Sequence, residues 1–240
     1  SLLVCGQLAV SVVLVVGSFL IARSFSNLLT SDRGFEARGI VTMEFTLFGG
    51  NYATLDDALL FYRQLLTDAE AIPGVTQAAL ASTVPFGAQR DYPGNFEFVG
   101  RPDAPAGEGT GAFFRQVTPG FFAAMGSTIA EGRSFTIADD AESPGAIVVN
   151  EAFARRFYGT TDVVGERLRS LEATFGPLGQ MRKDEAEIVG IVKDVQFGDL
   201  RAPAEPAVFF PLEQAPFRRL SLVLRTNGSA RGVIAEARGI

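Results

Sequence analysis

The chain has 240 residues, 47% of them apolar and 20% charged, and carries a formal net charge of −6. This composition is globular rather than disordered, and the length leaves room for one or two domains. The acidic balance, without any Lys/Arg-rich run, argues against nucleic acid as a partner, and the complete lack of histidine excludes Ser-His-Asp, Cys-His and His-ligated zinc chemistry.

Residues 2–22 are uncharged and almost wholly apolar, with Gln7, Ser11 and Ser18 as the polar exceptions and Arg23 as the first charge. A helix rises about 1.5 Å per residue, so this stretch matches the ~30 Å hydrocarbon core of a bilayer, and residues 1–23 are predicted to form a transmembrane helix. A cleaved signal peptide would show a basic leader and a shorter apolar region. Small residues at Gly6, Ala9, Ser11, Gly17 and Ser18 would let another helix approach. The chain opens inside the apolar stretch without Met, which reads as a fragment of a longer protein. The one thiol, Cys5, lies in this stretch, so no intrachain disulfide can form.

A juxtamembrane segment, 24–39, leads to the clearest strand. Val41, Met43, Phe45 and Leu47 alternate with Thr42, Glu44 and Thr46. Thr54 is placed to cap a helix whose apolar stripe is Leu55, Ala58, Leu59, Tyr62, Leu65, Leu66 and Ala69, and Pro73-Gly74 stops it. Residues 75–84 read as a second strand, completing a β-α-β unit. The middle of the chain predicts a loop at 85–93, short strands at 95–99 and 112–117, and an exposed Pro/Gly/Ala-rich connection at 101–111. Thr118 is expected to cap a short helix with Pro119 at its first position. A strand at 146–149 precedes a helix at 151–158 capped by Asn150. Further strands are expected at 166–170, 187–192 and 207–210, with a loop at 171–184. Leu220, Leu222 and Leu224 alternate with Ser221, Val223 and Arg225, and a helical pattern begins at Ala230.

The predicted class is therefore α+β. One N-terminal transmembrane helix precedes a ferredoxin-like (split β-α-β, porter-like) unit formed by 40–84 and 216–240, and residues 85–215 form an inserted small α+β subdomain. The second half of the porter-like unit ends before its last strand.

Several stretches resemble one family in order along the chain. They are Arg23-Ser24-Phe25, Gly34-Phe35, Phe61-Tyr62-Arg63-Gln64-Leu65-Leu66, Pro73-Gly74-Val75 and Val117-Thr118-Pro119-Gly120-Phe121-Phe122. They continue with Gly132-Arg133-Ser134-Phe135, Val149-Asn150-Glu151-Ala152-Phe153-Ala154-Arg155-Arg156-Phe157, Val164-Gly165-Glu166-Arg167-Leu168, Ile188-Val189-Gly190-Ile191-Val192-Lys193-Asp194-Val195 and Phe209-Phe210-Pro211-Leu212. The chain resembles the periplasmic core domain of macrolide-exporter-like ABC transporter permeases. That resemblance implies an inner-membrane permease with residues after about 24 in the periplasm, a separate cytoplasmic ABC ATPase, and a second permease copy or duplicated half. It also implies contact with membrane lipid, a periplasmic adaptor as a further partner, and a role in efflux or mechanical transmission. The alternative class is a membrane-tethered extracytoplasmic binding or sensor domain without a transport role.

No catalytic, cofactor-binding or metal-ligating residue is assigned, and the chain is not expected to be an enzyme or to carry a cofactor. Neither GxxxxGK[ST] nor a helix-opening GxGxxG occurs, so ATP is not expected to bind here. The acidic cluster Asp139, Asp140 and Glu142 suits a cation by its oxygens but lacks the spacing of a calcium loop, and reads better as a solvated loop. Arg155-Arg156 reads better as the cationic last turn of a helix than as a contact to a neighbouring subunit. The doublets Phe113-Phe114, Phe121-Phe122 and Phe209-Phe210 could line an apolar groove, but core packing is the stronger expectation for at least one ring of each.

Overall fold

The structure, a computed structural model, describes residues 2–30, 34–89, 91–100, 110–198, 202–237 and 239. The connection expected at 101–111 falls almost wholly outside them. The chain begins with α1 (Leu2–Thr30), a single helix that continues past Arg23 into the expected juxtamembrane segment. The side chains of 2, 3, 5, 8, 9 and 24–30 in α1 are not described, and among the described residues no helix is long and apolar enough to cross a membrane.

The next unit follows the alternation in the sequence. Strand β1 (Ile40–Thr46) leads through a 3-10 turn into α2 (Leu55–Glu70), where the Thr54 hydroxyl accepts the Asp57 N–H and the Asp57 carboxylate accepts the Thr54 N–H. This reciprocal pair satisfies two helix-end donors. The buried stripe of α2 is Ala58, Leu59, Tyr62, Leu65 and Ala69, as the spacing predicts. The chain then returns as β2 (Val75–Ala81).

Among the described residues, ten strands belong to the sheet system. These are β3 (Tyr92–Phe98), β4 (Gly111–Val117), β5 (Ile129–Gly132), β6 (Ala146–Asn150), β7 (Arg167–Ser170), β8 (Glu185–Val192), β9 (Ala207–Pro211) and β10 (Arg219–Thr226), together with β1 and β2. The short helix α3 (Phe121–Met125) follows β4, α4 (Glu151–Tyr158) follows β6, and α5 (Ala230–Ala237) follows β10. Strand β10 lies antiparallel between β1 and β2, so those two run parallel on either side of it with α2 as their crossover.

Six of the remaining strands close on themselves, and β5 lies outside them against β8. Strand β4 pairs with β3 on one side and with β9 on the other; β9 continues to β6, β6 to β8, β8 to β7, and β7 back to β3. Six strands thus form a ring, and each sends at least one side chain inward: Phe96, Phe114, Ile147, Leu168, Ala186, and both Val208 and Phe210. The space left among them is about 10 Å³, enough for at most one water, so the ring is a packed core and not a carrier cavity. Helix α4 packs Phe153 and Phe157 against Phe96, with ring centroids 5.0 Å apart in each pair.

The ring and the β1–β10–β2 ribbon meet through one registered pair, Ala81 with Val117. Side chains reinforce that seam: the Ser82 hydroxyl accepts the Gln116 N–H at 3.0 Å, and the Thr118 hydroxyl accepts the Leu80 N–H at 2.9 Å. One core layer, containing Leu59, Tyr62, Phe96, Phe153 and Leu222, runs through both the ribbon and the ring. A second, on the opposite face, gathers Ala79, Phe121, Phe122, Phe209 and Val223 under α3.

Some expectations need correction. Thr118 does not cap α3: the residue before that helix is Gly120, and the Thr118 hydroxyl is committed to Leu80 across the seam. Strand β3 begins at Tyr92 rather than Asn95, with Pro93 inside it. Strand β7 joins β3 only from Phe96 onward, so no ladder on that edge needs the N–H that Pro93 lacks. Strand β5, absent from the sequence reading, is held by pairing Ile129, Glu131 and Gly132 with β8, four residues too short and mixed to carry an alternating signal.

The ring makes a discriminating prediction within one doublet. Phe114 is 1% exposed and points into it, whereas Phe113 faces outward and is half-buried. Phe114→Ala should cost about 3–5 kcal/mol in urea unfolding and Phe113→Ala less than half as much. Equal losses would mean that the inward assignment is wrong.

Candidate functional site

The acidic cluster is structural. Asp139 is 7% exposed and takes a two-pronged ion pair from Arg133, at 2.8 Å for each contact, plus the Thr136 N–H at 2.7 Å. Burial pushes the Asp139 carboxyl up, but the Arg133 and Thr136 hydrogen bonds outweigh it, and the net shift is downward. Asp140 accepts the N–H groups of Glu142 and Ser143 and so shapes the following turn. Among the described residues no group of carboxylates could hold a metal ion.

Arg155 and Arg156 sit in the last turn of α4, before the left-handed Gly159, as expected for cations at a helix C-terminus. Arg155 pairs with Glu151 one turn back and with Asp194 beyond β8. Asp194 also accepts the Ala152 N–H at 2.7 Å, yet burial dominates and its carboxyl is shifted upward. Asn150 caps α4 as expected and does more: the same oxygen takes the Ala207 N–H at 2.9 Å, and its amide donates to Glu205. One residue therefore ties the start of α4 to the start of β9.

Each phenylalanine doublet places at least one ring in the core. Phe114 and Phe210 meet inside the ring at 5.0 Å, while Phe121 and Phe122 of α3 pack against Phe209. Sequence reasoning missed Arg115. It is 3% exposed and pairs with Asp91 at 2.8 and 2.5 Å, with its guanidinium 3.4 Å from the centre of the Phe197 ring. A buried cation needs such partners, since desolvation without them is costly. No spacing in the sequence links Asp91, Arg115 and Phe197.

A groove of about 390 Å³ opens between the ribbon and the ring. Leu59, Tyr62 and Leu66 of α2 form one wall; Pro119, Leu212 and the 136–140 loop form the other. Its size and apolar lining suit a small ligand or a side-chain cluster of a partner. Arg63 and Glu213 bridge it with two 2.8 Å contacts, and Ile137 stands at its lip, 93% exposed. Its polar groups are engaged within the fold: Thr136 with Asp139 at 3.2 Å, the Tyr62 hydroxyl with the Phe217 carbonyl at 3.0 Å, and Thr118 with Leu80. Nothing in the sequence brings residues from these separate stretches together.

The chain enters the folded part at a seat formed by 34–39. Gly34 has φ +72° and lies against the Asp194 carbonyl so closely that an added Cβ would sit 2.0 Å from that oxygen. Glu36 donates its N–H to the Met125 carbonyl at 3.0 Å. Arg225, on β10, donates to the carbonyls of Ala124 at 2.6 Å, Glu36 at 3.1 Å and Arg38 at 3.4 Å. Gly39, with φ +69°, accepts the Thr226 N–H at 2.7 Å and passes the chain into β1.

Asp139 gives a pH test. Its folded pKa lies below the ordinary 3.8, so its stabilisation is fully present above that value and is lost as pH falls through the folded pKa. Asp139→Asn should lower neutral-pH stability by about 1–3 kcal/mol through the lost charged hydrogen bonds, and should flatten the acid limb of stability below about pH 4. An unchanged acid limb in urea titrations at several pH values would count against this role.

Among solved structures, the periplasmic region of MacB from Actinobacillus actinomycetemcomitans aligns with a TM-score of 0.54 at 12% identity, covering 88% of this chain and 86% of that one. The extracellular domain of the noncanonic ABC-type transporter YknZ from Gram-positive bacteria aligns at 0.47 and 13% identity, covering 82% and 88%. No curated protein matches the chain. The first alignment shows a shared fold. The family model described as MacB-like periplasmic core domain matches residues 1–239, and the chain accordingly belongs to that family of ABC-type transporter permease domains.

Proposed function

We propose that this chain is the periplasmic part of a permease in the bacterial inner (plasma) membrane. It couples ATP hydrolysis by a separate cytoplasmic ABC ATPase to conformational change outside the membrane, in export or mechanical transmission. In this reading α1 crosses the bilayer and residues after about 24 lie in the periplasm. The ribbon is the first part of a ferredoxin-like, porter-like unit, and the ring with its helices is the inserted subdomain. The chain is not an enzyme. Its partners are the ATPase, lipid, a second permease copy or duplicated half, and a periplasmic adaptor.

The observation that carries the reading, beyond family membership, is the surface of α1. Val12, Val13, Leu14, Val15 and Val16 are each 52–70% exposed, and Phe19, Leu20 and Ile21 are 59–72% exposed. Five consecutive helical positions sample every face, so no single packed side could shelter them. Lipid or other apolar helices can do so, and the sequence of 2–22 is long enough to span. The groove, and carboxylates paired with arginines of the same chain, agree with a domain that binds and moves rather than one that catalyses.

Topology tests this directly. In a Cys5→Ser background, Ala138→Cys should react with a membrane-impermeant maleimide in cells whose outer barrier alone has been opened. Labelling only after the inner membrane is broken would overturn the placement. The full-length protein purified in mild detergent should carry an ATP-hydrolysing subunit; purification without one would favour a tethered binding domain.

A further inference from the structure

We propose that 34–39 is a two-point mechanical seat, which ties the chain arriving from α1 to the ribbon and to the ring at once. The inference rests on the permease reading for its purpose, but its geometry stands by itself.

The segment touches the two parts through different chemistry. Gly34 lies on the backbone of Asp194, just beyond β8 of the ring, at a distance that excludes any side chain. Phe35 packs into the core layer under α3, and its ring lies 6.3 Å from that of Phe86. Phe86 is the only non-glycine residue with positive φ among the described residues, and its N–H donates to Phe197 of the segment that follows β8. Glu36 and Arg38 are held from the other side, by Arg225 of β10 in the ribbon.

Arg225 is the central piece. Its guanidinium meets three carbonyl oxygens, two from the seat and one from the C-terminal end of α3. A helix C-terminus presents partial negative charge and unsatisfied carbonyls, so a fixed cation is favoured there. The planar fork addresses several acceptors at once, which the single ammonium of lysine cannot reproduce in the same geometry. Because β10 is the middle strand of the ribbon, with seven registered partners on β1 and six on β2, a pull on Glu36 reaches strands and not a loose loop. The same pull reaches the ring through Gly34 and Asp194. Displacement of the incoming chain therefore moves ribbon, α3 and the end of β8 together.

Force spectroscopy on the full chain in detergent tests the seat. Handles are attached at Arg23→Cys and Ala138→Cys in a Cys5→Ser background. Apart from unwinding of α1, which is common to all variants, the native chain should yield first by cooperative rupture of the domain. Arg225→Met should add an earlier, lower-force step of up to about 20 Å, the extended length of six residues. Gly34→Ala, whose methyl group cannot coexist with the Asp194 carbonyl, should also add an earlier step. That step is a shorter one of about 7 Å, the extended length of two residues, because Glu36 stays bound to Met125 and Arg225. This variant also covers the case in which Arg225→Met fails to fold. Thermal midpoints within a few degrees of native would separate release of the seat from general destabilisation. Traces of both variants that match the native chain would overturn the proposal. The measurement needs neither bilayer nor ATPase, so its failure leaves the permease reading intact, and failure of that reading leaves the seat measurable.

Discussion

The parallel pairing of β9 with β4 is the constraint on which the rest of the molecule depends. Five registered pairs, from Phe113 with Ala207 to Val117 with Pro211, turn what would be an open sheet into a ring. Closure removes two sheet edges, and with them the backbone groups that an open sheet would leave unpaired. It also fixes where β4 must end. At that end β3 has already left the strand, and β2 takes over the vacant side through Ala81, with Ser82 and Thr118 supplying hydrogen bonds where the ladder is too short to do so. The ribbon thus hangs on the ring at a position set by ring closure, and α2 is carried with it to form one wall of the groove.

Much of the local structure was legible because it is coded locally. Alternating Val41, Met43 and Phe45, the Thr54 and Asn150 caps, and the stop at Pro73-Gly74 all depend on neighbours within a few residues. The ring was not legible, since β4 and β9 stand almost a hundred positions apart and parallel partners leave no mark in either strand. Strand β9 is buried on both faces and so reads as a continuous apolar run, without a sign of which face meets which layer. Thr118 shows the opposite failure. Its sequence context, before Pro-Gly and two phenylalanines, is that of a helix cap, yet a backbone donor of another strand won its hydroxyl. The candidate sites divide in the same way. Asp140 and Glu142 stand in the solvated loop that the charge run suggests, whereas Asp139 departs from that expectation, buried against Arg133. The groove gathers residues from four distant stretches.

Several arginines are spent on contacts within the fold. Arg115, Arg133, Arg155, Arg218 and Arg225 each meet specific carboxylates or carbonyl oxygens of the same chain. Arginine suits this work because its fork satisfies several acceptors in one plane. Such contacts fasten β10 to the entry segment and to α3, and α4 to the segment beyond β8.

The entry segment also acts as a ruler. Gly34 and Gly39 each lie against a backbone carbonyl at a distance no side chain permits, one on the ring and one on the ribbon. Five residue steps separate them, and both contacts must be met together. Adding or removing one residue in between would lift one glycine from its oxygen and turn Phe35 out of its packing under α3 or the Glu36 and Arg38 carbonyls away from Arg225. Length, rather than the identity of the residues between, is thus the quantity this stretch encodes, and a change of one residue there should matter more than most substitutions elsewhere on the surface.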